Sequence, residues 1–212
     1  TASGTLSTIG GGNTNTASGG QYPTIAGGTC NTASGNYGSF VGGGYANTSS
    51  AYMTVVGGGF RNCATGGEST VSGGRCNVAS GTRATVGGGE ANTASSNYSV
   101  VGGGYVNKSL AYASTVSGGY RNCNCGNQAT IGGGIFNYIC CATATTCTAG
   151  ATIGGGIGNN TSGGTFNGTT FCVAPTTFYI AGTFSTIGGG FQNRATGSYS
   201  FVGGGQSNTA SG

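Results

Sequence analysis

Charged residues are scarce in this chain of 212 residues, which has two acidic side chains, six basic ones and no histidine. Without histidine, the chain cannot form a Ser–His or Cys–His catalytic pair. The two acids, Glu68 and Glu90, lie at different positions of a repeat described below, so no paired-carboxylate site is predicted. The five arginines and one lysine are scattered, which argues against a nucleic-acid interface. We therefore expect neither an enzyme nor a cofactor or metal site.

Leucine and long apolar runs are also nearly absent. The two leucines, Leu6 and Leu110, stand against 50 glycines, which excludes long amphipathic helices. No apolar run reaches the roughly 18 residues of a membrane-spanning helix, so we expect no membrane insertion of this segment. These absences leave either a disordered low-complexity chain or a repeat with a thin core.

The glycines are periodic, which decides between these alternatives. We define position zero of each repeat as the β-branched residue that precedes a glycine cluster, and glycine follows at positions two and three in every repeat. Successive repeats are 15 or 16 residues apart, except for two longer intervals after Ile131 and Ile153. Position zero is occupied by Ile9, Ile25, Val41, Val56, Val71, Val86, Val101, Val116, Ile131, Ile153, Ile187 and Val202.

Asparagine occupies position six of all twelve repeats. Because positions minus two, zero, six and eight have the same parity, their side chains can share the inner face of short strands. Asparagines stacked on successive coils can form a buried amide ladder, although a turn residue with a left-handed backbone is the alternative. The ladder prediction comprises Asn15, Asn31, Asn47, Asn62, Asn77, Asn92, Asn107, Asn122, Asn137, Asn159, Asn193 and Asn208.

This period predicts an all-β chain folded as a parallel β-solenoid of about twelve coils, with glycines at positions three and ten supplying positive φ at the turns. We divide it into regular coils at 1–137, coils with inserted cysteine-containing loops at 138–184, and regular coils at 185–212 that continue to an uncapped end. Such coils would form a rod, and the chain would be an internal segment of a longer protein or a unit that stacks on further copies.

The motif resembles the head repeats of trimeric autotransporter adhesins of the YadA-like type, and similar repeats occur in phage and virus fibres. Ser69-Thr70-Val71-Ser72-Gly73-Gly74 and Asn77-Val78-Ala79-Ser80-Gly81 look like the two halves of that repeat, with one additional glycine. The resemblance covers most of the chain except about 138–150 and 160–184. It implies a left-handed parallel β-roll with three chains around one axis, serving as an adhesive or receptor-binding rod without catalytic residues.

A trimer would also complete a core that is only one valine or isoleucine wide. Aromatic residues recur at position four, where they would form either a subunit interface or an exposed binding stripe. A second set recurs at positions minus three and minus four. The position-four residues are Tyr45, Phe60, Tyr105, Tyr120 and Phe191, and those of the second set are Tyr37, Tyr52, Tyr98, Tyr112 and Tyr199.

The nine cysteines lack the spacing of a zinc site. Cys125 and Cys140 share position nine of adjacent coils, which predicts a disulfide, and Cys63 with Cys76 is the next candidate pair. Buried thiols are the alternative. Three sequons outside the asparagine ladder, at Asn97, Asn160 and Asn167, are candidate glycosylation sites.

Together these features predict an extracellular structural or adhesive segment, located at a cell or virion surface. Its expected partners are itself, as a homotrimer or fibre, and a host-surface glycan or protein. Two alternatives remain open. One is a self-assembling filament subunit. The other is an ice-binding solenoid that uses the threonines recurring at position minus one.

Overall fold

A computed structural model describes residues 1–139, 149–161 and 182–211 of the chain. These residues form 23 strands of two residues each and contain no helix. In each of the two units described below, positions minus one and zero form parallel strands, named here the valine sheet of that unit. Positions seven and eight form a second set of parallel strands, named the alanine sheet. The prediction of an all-β parallel β-solenoid of about twelve turns is confirmed for the described residues.

The chain divides into two compact units, Thr1–Gly104 and Tyr105–Gly212. In the first unit the valine sheet contains β1 (Thr8–Ile9), β3 (Thr24–Ile25), β5 (Phe40–Val41), β7 (Val55–Val56), β9 (Thr70–Val71), β11 (Thr85–Val86) and β13 (Val100–Val101). The alanine sheet of that unit contains β2 (Thr16–Ala17), β4 (Thr32–Ala33), β6 (Thr48–Ser49), β8 (Cys63–Ala64), β10 (Val78–Ala79) and β12 (Thr93–Ala94).

The second unit has the same two kinds of strand. Its valine sheet contains β15 (Thr115–Val116), β17 (Thr130–Ile131), β19 (Thr152–Ile153), β20 (Thr186–Ile187) and β22 (Phe201–Val202). The positions of the alanine sheet form β14 (Lys108–Ser109), β16 (Cys123–Asn124) and β18 (Tyr138–Ile139), and separately the pair β21 (Arg194–Ala195) and β23 (Thr209–Ala210).

The two long intervals between repeats do not change the register. Ile131 pairs in parallel with Ile153, and Ile153 pairs with Ile187, so position zero faces position zero across both intervals. Because a register shift by one residue would turn every inner side chain outward, this constant register keeps the position-zero side chains of the three strands on one face.

The core of each unit is closed by the chain itself. Position-zero residues such as Val71 and Ile153 are fully buried, and so are position-eight residues such as Ala79. Burial of these side chains against each other gives each coil most of its apolar stabilisation. The narrow core therefore gives no reason for a trimer, and any argument for association has to come from the surface.

Three positions of each regular coil have φ between about 50° and 96°. The glycine at position three has φ near +90°, as at Gly74 (φ 90°). Positions five and minus three have φ of 50–61° with side chains other than glycine in most coils, as at Cys76 (φ 54°) and Arg83 (φ 58°). Left-handed backbone is uncommon for such residues. The turns therefore depend on more than glycine.

The predicted reason for glycine at position ten is wrong in most coils. Gly66 and Gly81 do not have positive φ. A Cβ on Gly81 would instead overlap the carbonyl oxygen of Ser96 on the next coil. Glycine is therefore favoured at Gly66 and Gly81 because the backbone of the next coil approaches closely there.

Candidate interaction surface

The position-six asparagines connect each coil to the next within a unit. The Oδ1 atom of Asn77 accepts a hydrogen bond from the backbone N–H of Asn92 at 2.9 Å. Its Nδ2 atom donates to the carbonyl of Gly73 in its own coil at 3.0 Å and to that of Gly89 in the next coil at 2.8 Å. All three polar functions of the side-chain amide are thus used, which removes the cost of burying it.

The ladder differs in detail from stacked amides. Within each unit, the Oδ1 atom of one asparagine accepts a hydrogen bond from the backbone N–H of the next, as Asn62 Oδ1 does from Asn77. Direct bonds between two side-chain amides are longer, at 3.2 Å, as from Asn47 to Asn31. Eleven of the twelve asparagines are buried, and Asn208 is exposed. The same amide therefore holds both the turn and the stacking of coils.

The aromatic residues at position four lie on the surface and stack on neighbouring coils. In the first unit the rings of Tyr45 and Phe60 are 5.3 Å apart between centroids and 12° from parallel. In the second unit Tyr105 and Tyr120 are 5.4 Å apart and 13° from parallel. Because the rings stack along the column, their edges, rather than their faces, point to the solvent.

Phe191 lies in the same column of the second unit but not against another predicted ring. Its parallel bridge partners are Ile157 and Gln206, and Ile157 in turn bridges to Ile135. Ile135, Ile157 and Phe191 are each 38–39% exposed. Sequence reasoning that looked only for aromatic residues missed the two isoleucines, although they share position four. The column is therefore apolar over five successive coils of this unit, from Tyr105 to Phe191.

A second exposed aromatic column occupies positions minus four and minus three. In the first unit Tyr22, Tyr37 and Tyr52 follow one another, with ring centroids 5.4 and 5.9 Å apart. In the second unit Phe184 and Tyr199 stack at 5.3 Å. Tyr22 and Phe184 were not among the predicted residues, although both occupy position minus three, as the predicted Tyr98 and Tyr199 do.

Arginine side chains pack on the position-four column. The guanidinium groups of Arg61 and Arg75 lie 5.2 and 5.6 Å from the centre of the Phe60 ring, and that of Arg121 lies 5.3 Å from Tyr120. Such contacts contribute on the order of 0.5–1 kcal/mol each at exposed sites. The columns therefore present aromatic edges together with positive charge.

Both acidic residues are paired with arginine in the first unit. Arg75 and Glu90 approach to 3.6 Å. Arg83 donates to Glu68 at 2.8 Å from Nε and to the hydroxyl of Tyr98 at 2.7 Å from Nη1. The hydrogen bond from Arg83, and secondarily its charge, lowers the pKa of the Glu68 carboxyl, while Glu68 raises the pKa of Arg83. The remaining basic residues give the chain its formal net charge of +4.

The predicted disulfide between Cys63 and Cys76 is wrong, because both thiols are free. Cys63 lies in β8 and pairs with Val78 of the next coil, two residues beyond Cys76. Cys76 lies on the other side of the asparagine turn, where its backbone N–H donates to Phe60. Burial raises the pKa of Cys63, which keeps it as the unreactive thiol.

The other cysteine prediction is not tested. Cys125 lies next to Cys123, with 3.7 Å between the two sulfur atoms, and Cys140 lies outside the described residues. The Cys125–Cys140 pair stays a prediction.

The sequons differ in exposure. Asn97 is exposed, and its Oδ1 accepts a bond from the backbone N–H of Thr82. Asn160 is 5% exposed, and its backbone N–H donates to Asn193, so its side chain offers little access for glycan transfer. Asn167 lies outside the described residues.

Within the described part of the chain, no three His, Cys, Asp or Glu side chains are grouped so that they could hold a metal ion. No helix of those residues is long and apolar enough to cross a membrane. In comparisons with known proteins, the chain has no significant match to any described protein family or to any curated protein.

Proposed function

We propose that the chain is an extracellular structural and adhesive segment, a fibre or adhesin head, that displays side chains for attachment to a host cell or matrix. The observation that carries the proposal is the position-four column, in which all the apolar side chains except Phe60 are 36–43% exposed on a hydrogen-bonded scaffold, as at Tyr45, Tyr120 and Ile157. Contiguous exposed apolar surface of this kind is typical of interaction sites.

The scaffold supports this function because it holds the position-four side chains in place through bonds that do not involve those side chains. Each asparagine amide bonds backbone groups on two coils, so the outward side chains are not needed to hold the coils together. Position four can then vary between Tyr45, Phe60, Arg75 and Glu90 while the strands around it keep one register. A repeat with a constant interior and a variable exterior suits a display surface.

Association with further copies of the chain, as a homotrimer or a fibre, is part of the proposal. Its support is the apolar column of the second unit, where Ile135, Ile157 and Phe191 expose aliphatic and aromatic surface to water. Covering such a column is favourable in proportion to the apolar area removed from water.

Sedimentation equilibrium, with and without reductant, tests association. The chain has a mass of 20.2 kDa, and we expect a species of about three times that mass, independent of reductant. Ile135→Ser with Ile157→Ser should shift the population toward the single chain, whereas the control Thr130→Ser, in the valine sheet, should not. A wild-type chain that remains monomeric at all concentrations would refute the trimer.

Attachment is tested separately with beads that carry the protein. We expect the beads to be retained on cultured cells or on a panel of immobilised matrix proteins and glycans. Tyr45→Ser with Phe60→Ser should reduce retention several-fold, and Thr93→Ser, on the alanine sheet, should leave it unchanged. Absence of retention on every surface would refute the adhesive part of the proposal.

Ice binding is a second candidate function with one observation in its favour. In the second unit, four threonines follow one another in register on the outer side of the valine sheet: Thr115, Thr130, Thr152 and Thr186. Such a column is a regular array of hydroxyl and methyl groups. If it binds ice, the protein shows thermal hysteresis that Thr152→Tyr abolishes. A wild-type protein without hysteresis excludes this function.

A further inference from the structure

We propose that adjacent exposed tyrosines are sites of oxidative cross-linking, and that a haem peroxidase with hydrogen peroxide joins Tyr105 to Tyr120 as dityrosine within one chain. The inference does not depend on what surface the protein attaches to. It follows from the way parallel coils repeat one position at a fixed spacing of about 4.8 Å.

Tyr105 and Tyr120 have the geometry that the coupling needs. Their backbones form a parallel bridge, and their ring centroids are 5.4 Å apart with the planes 13° from parallel. The side chains are 41% and 36% exposed, so an oxidant reaches both rings. An exposed tyrosine also keeps the rotamer freedom to turn from the stacked arrangement to one in which two ring carbons bond.

A second set of exposed tyrosines lies at similar ring distances in the first unit, although only Tyr37 and Tyr52 are stacked and Tyr22 meets Tyr37 edge to face. Tyr37 lies between Tyr22 and Tyr52, at centroid distances of 5.4 and 5.9 Å. The three side chains are 44%, 38% and 50% exposed in chain order. One cross-link in this set consumes Tyr37 and one of its neighbours.

The reaction balances with the peroxide as oxidant. Each phenol loses its hydroxyl hydrogen, as one electron and one proton, and becomes a phenoxyl radical. The two radicals bond through carbons ortho to their oxygens, and each ring then transfers the hydrogen of its bonded carbon to oxygen and becomes aromatic again. The pair of residues loses two hydrogen atoms in total, and these reduce one hydrogen peroxide to two waters.

Tyrosine stacked on phenylalanine should not form a cross-link. Tyr45 stacks on Phe60 and Tyr199 stacks on Phe184, and phenylalanine does not form a phenoxyl radical. Among these stacked pairs, therefore, only tyrosine on tyrosine leads to coupling.

Peptide mapping tests the main site directly. Trypsin cleaves after Arg83, Lys108 and Arg121, so Tyr105 and Tyr120 fall in different peptides, 84–108 and 109–121. After treatment of dilute full-length protein with horseradish peroxidase and hydrogen peroxide, we expect these peptides to be covalently joined, with dityrosine fluorescence and a mass two hydrogens below their sum. Fragmentation of the joined peptides should place the bond at Tyr105 and Tyr120.

Matched variants test whether the cross-link depends on the stacked pair Tyr105 and Tyr120 or on the reactivity of any exposed tyrosine. Tyr105→Phe or Tyr120→Phe keeps the stacked rings and should abolish the joined peptide, whereas Tyr45→Phe, Tyr98→Phe and Tyr112→Phe should leave its yield within about twofold of wild type. Protein denatured before oxidation should give less than a tenth of the joined peptide. The proposal is overturned if the joined peptide is absent, if it survives Tyr120→Phe, or if cross-links form only between chains.

Discussion

Two corners of the same coil have left-handed backbones, yet only one of them always requires glycine. At position three, Gly74 has φ 90°, and a Cβ there would overlap the carbonyl oxygen of Gly89 on the next coil. At position five, Cys76 has φ 54° and an exposed side chain. The comparison shows that glycine is selected where the next coil approaches closely and φ lies beyond the left-handed range open to other residues.

The largest effect is expected from removing the amide that holds the glycine corner. Asn77→Ala leaves the backbone N–H of Asn92 and the carbonyl of Gly73 without their partner, while the carbonyl of Gly89 keeps only the backbone N–H of Arg75. At about 1–3 kcal/mol for each unsatisfied buried group, with partial relaxation, the free energy of unfolding should fall by about 4 kcal/mol. Urea unfolding followed by circular dichroism measures this loss.

Asn208→Ala is the matched control for that substitution. Asn208 is exposed, and its Nδ2 donates to Gly204 in its own coil. Its loss should cost about 1 kcal/mol, the typical net value of one hydrogen bond. Equal losses at Asn77 and Asn208 would contradict the role assigned to the buried ladder.

The next largest loss of stability is expected at one of two adjacent glycines and not at the other. Gly74→Ala adds a methyl group that overlaps the backbone of Gly89, in a backbone conformation that L-residues rarely adopt, and should cost about 3 kcal/mol. Gly73→Ala places its Cβ 3.9 Å from the nearest atom, the carbonyl oxygen of Gly58, and should change stability by less than about 1 kcal/mol. Thermal unfolding of the two variants side by side tests the comparison, which fails if Gly73→Ala costs as much as Gly74→Ala.

A smaller change, an increase in the free energy of unfolding, is expected at position five, the corner that accepts side chains other than glycine. Val106 occupies position five with φ 56°, where a β-branched residue is strained. Val106→Asn should raise the free energy of unfolding by about 1 kcal/mol, because asparagine adopts the left-handed region more readily. The same change at Val78, in strand β10, should lower it by about 0.5 kcal/mol. A loss of stability at both positions would show that the corner is not strained.

The period of the sequence was sufficient to predict the strands, because position zero and position eight alternate with outward residues in every coil. The inner face at Val71, Asn77 and Ala79 follows from parity alone. The hydrogen-bond pattern of the asparagine could not be derived in the same way, since its Nδ2 bonds join residues 4 and 12 apart and depend on where the glycine turn places its carbonyls.

Cysteine pairing and the left-handed corners were less accessible to sequence reasoning. Cys63 and Cys76 lie in adjacent coils, but the turn between positions five and seven separates their side chains, and a difference of two positions does not reveal that separation. The left-handed backbone at Arg83 and Cys76 could not be predicted, because neither residue is the glycine or asparagine that usually indicates this conformation. The apolar column at Ile135 and Ile157 was accessible, because both share position four with the predicted aromatic residues.

The smallest expected effect concerns the other exposed corner, at position minus three, where Glu68, Arg83 and Tyr98 stand on successive coils with left-handed backbones. Because Arg83 donates to the Glu68 carboxylate, the folded-state pKa of Glu68 lies below its ordinary value. A lowered carboxyl pKa contributes stability that is present above the unfolded-state pKa and is lost as the pH falls through the folded-state pKa. The pair is exposed, so salt should weaken the contribution.

Carboxyl-detected NMR of the folded protein measures this pKa directly. Arg83→Gln should raise the titration midpoint of Glu68, whereas Arg75→Gln, whose arginine pairs with Glu90, should leave it unchanged. The stability difference between wild type and Arg83→Gln should be present at neutral pH and vanish in acid. A Glu68 midpoint that is the same with and without Arg83 would show that the side chains of the exposed corner do not interact between coils. The exposed corner would then differ from the glycine corner, where each asparagine amide bonds to two coils.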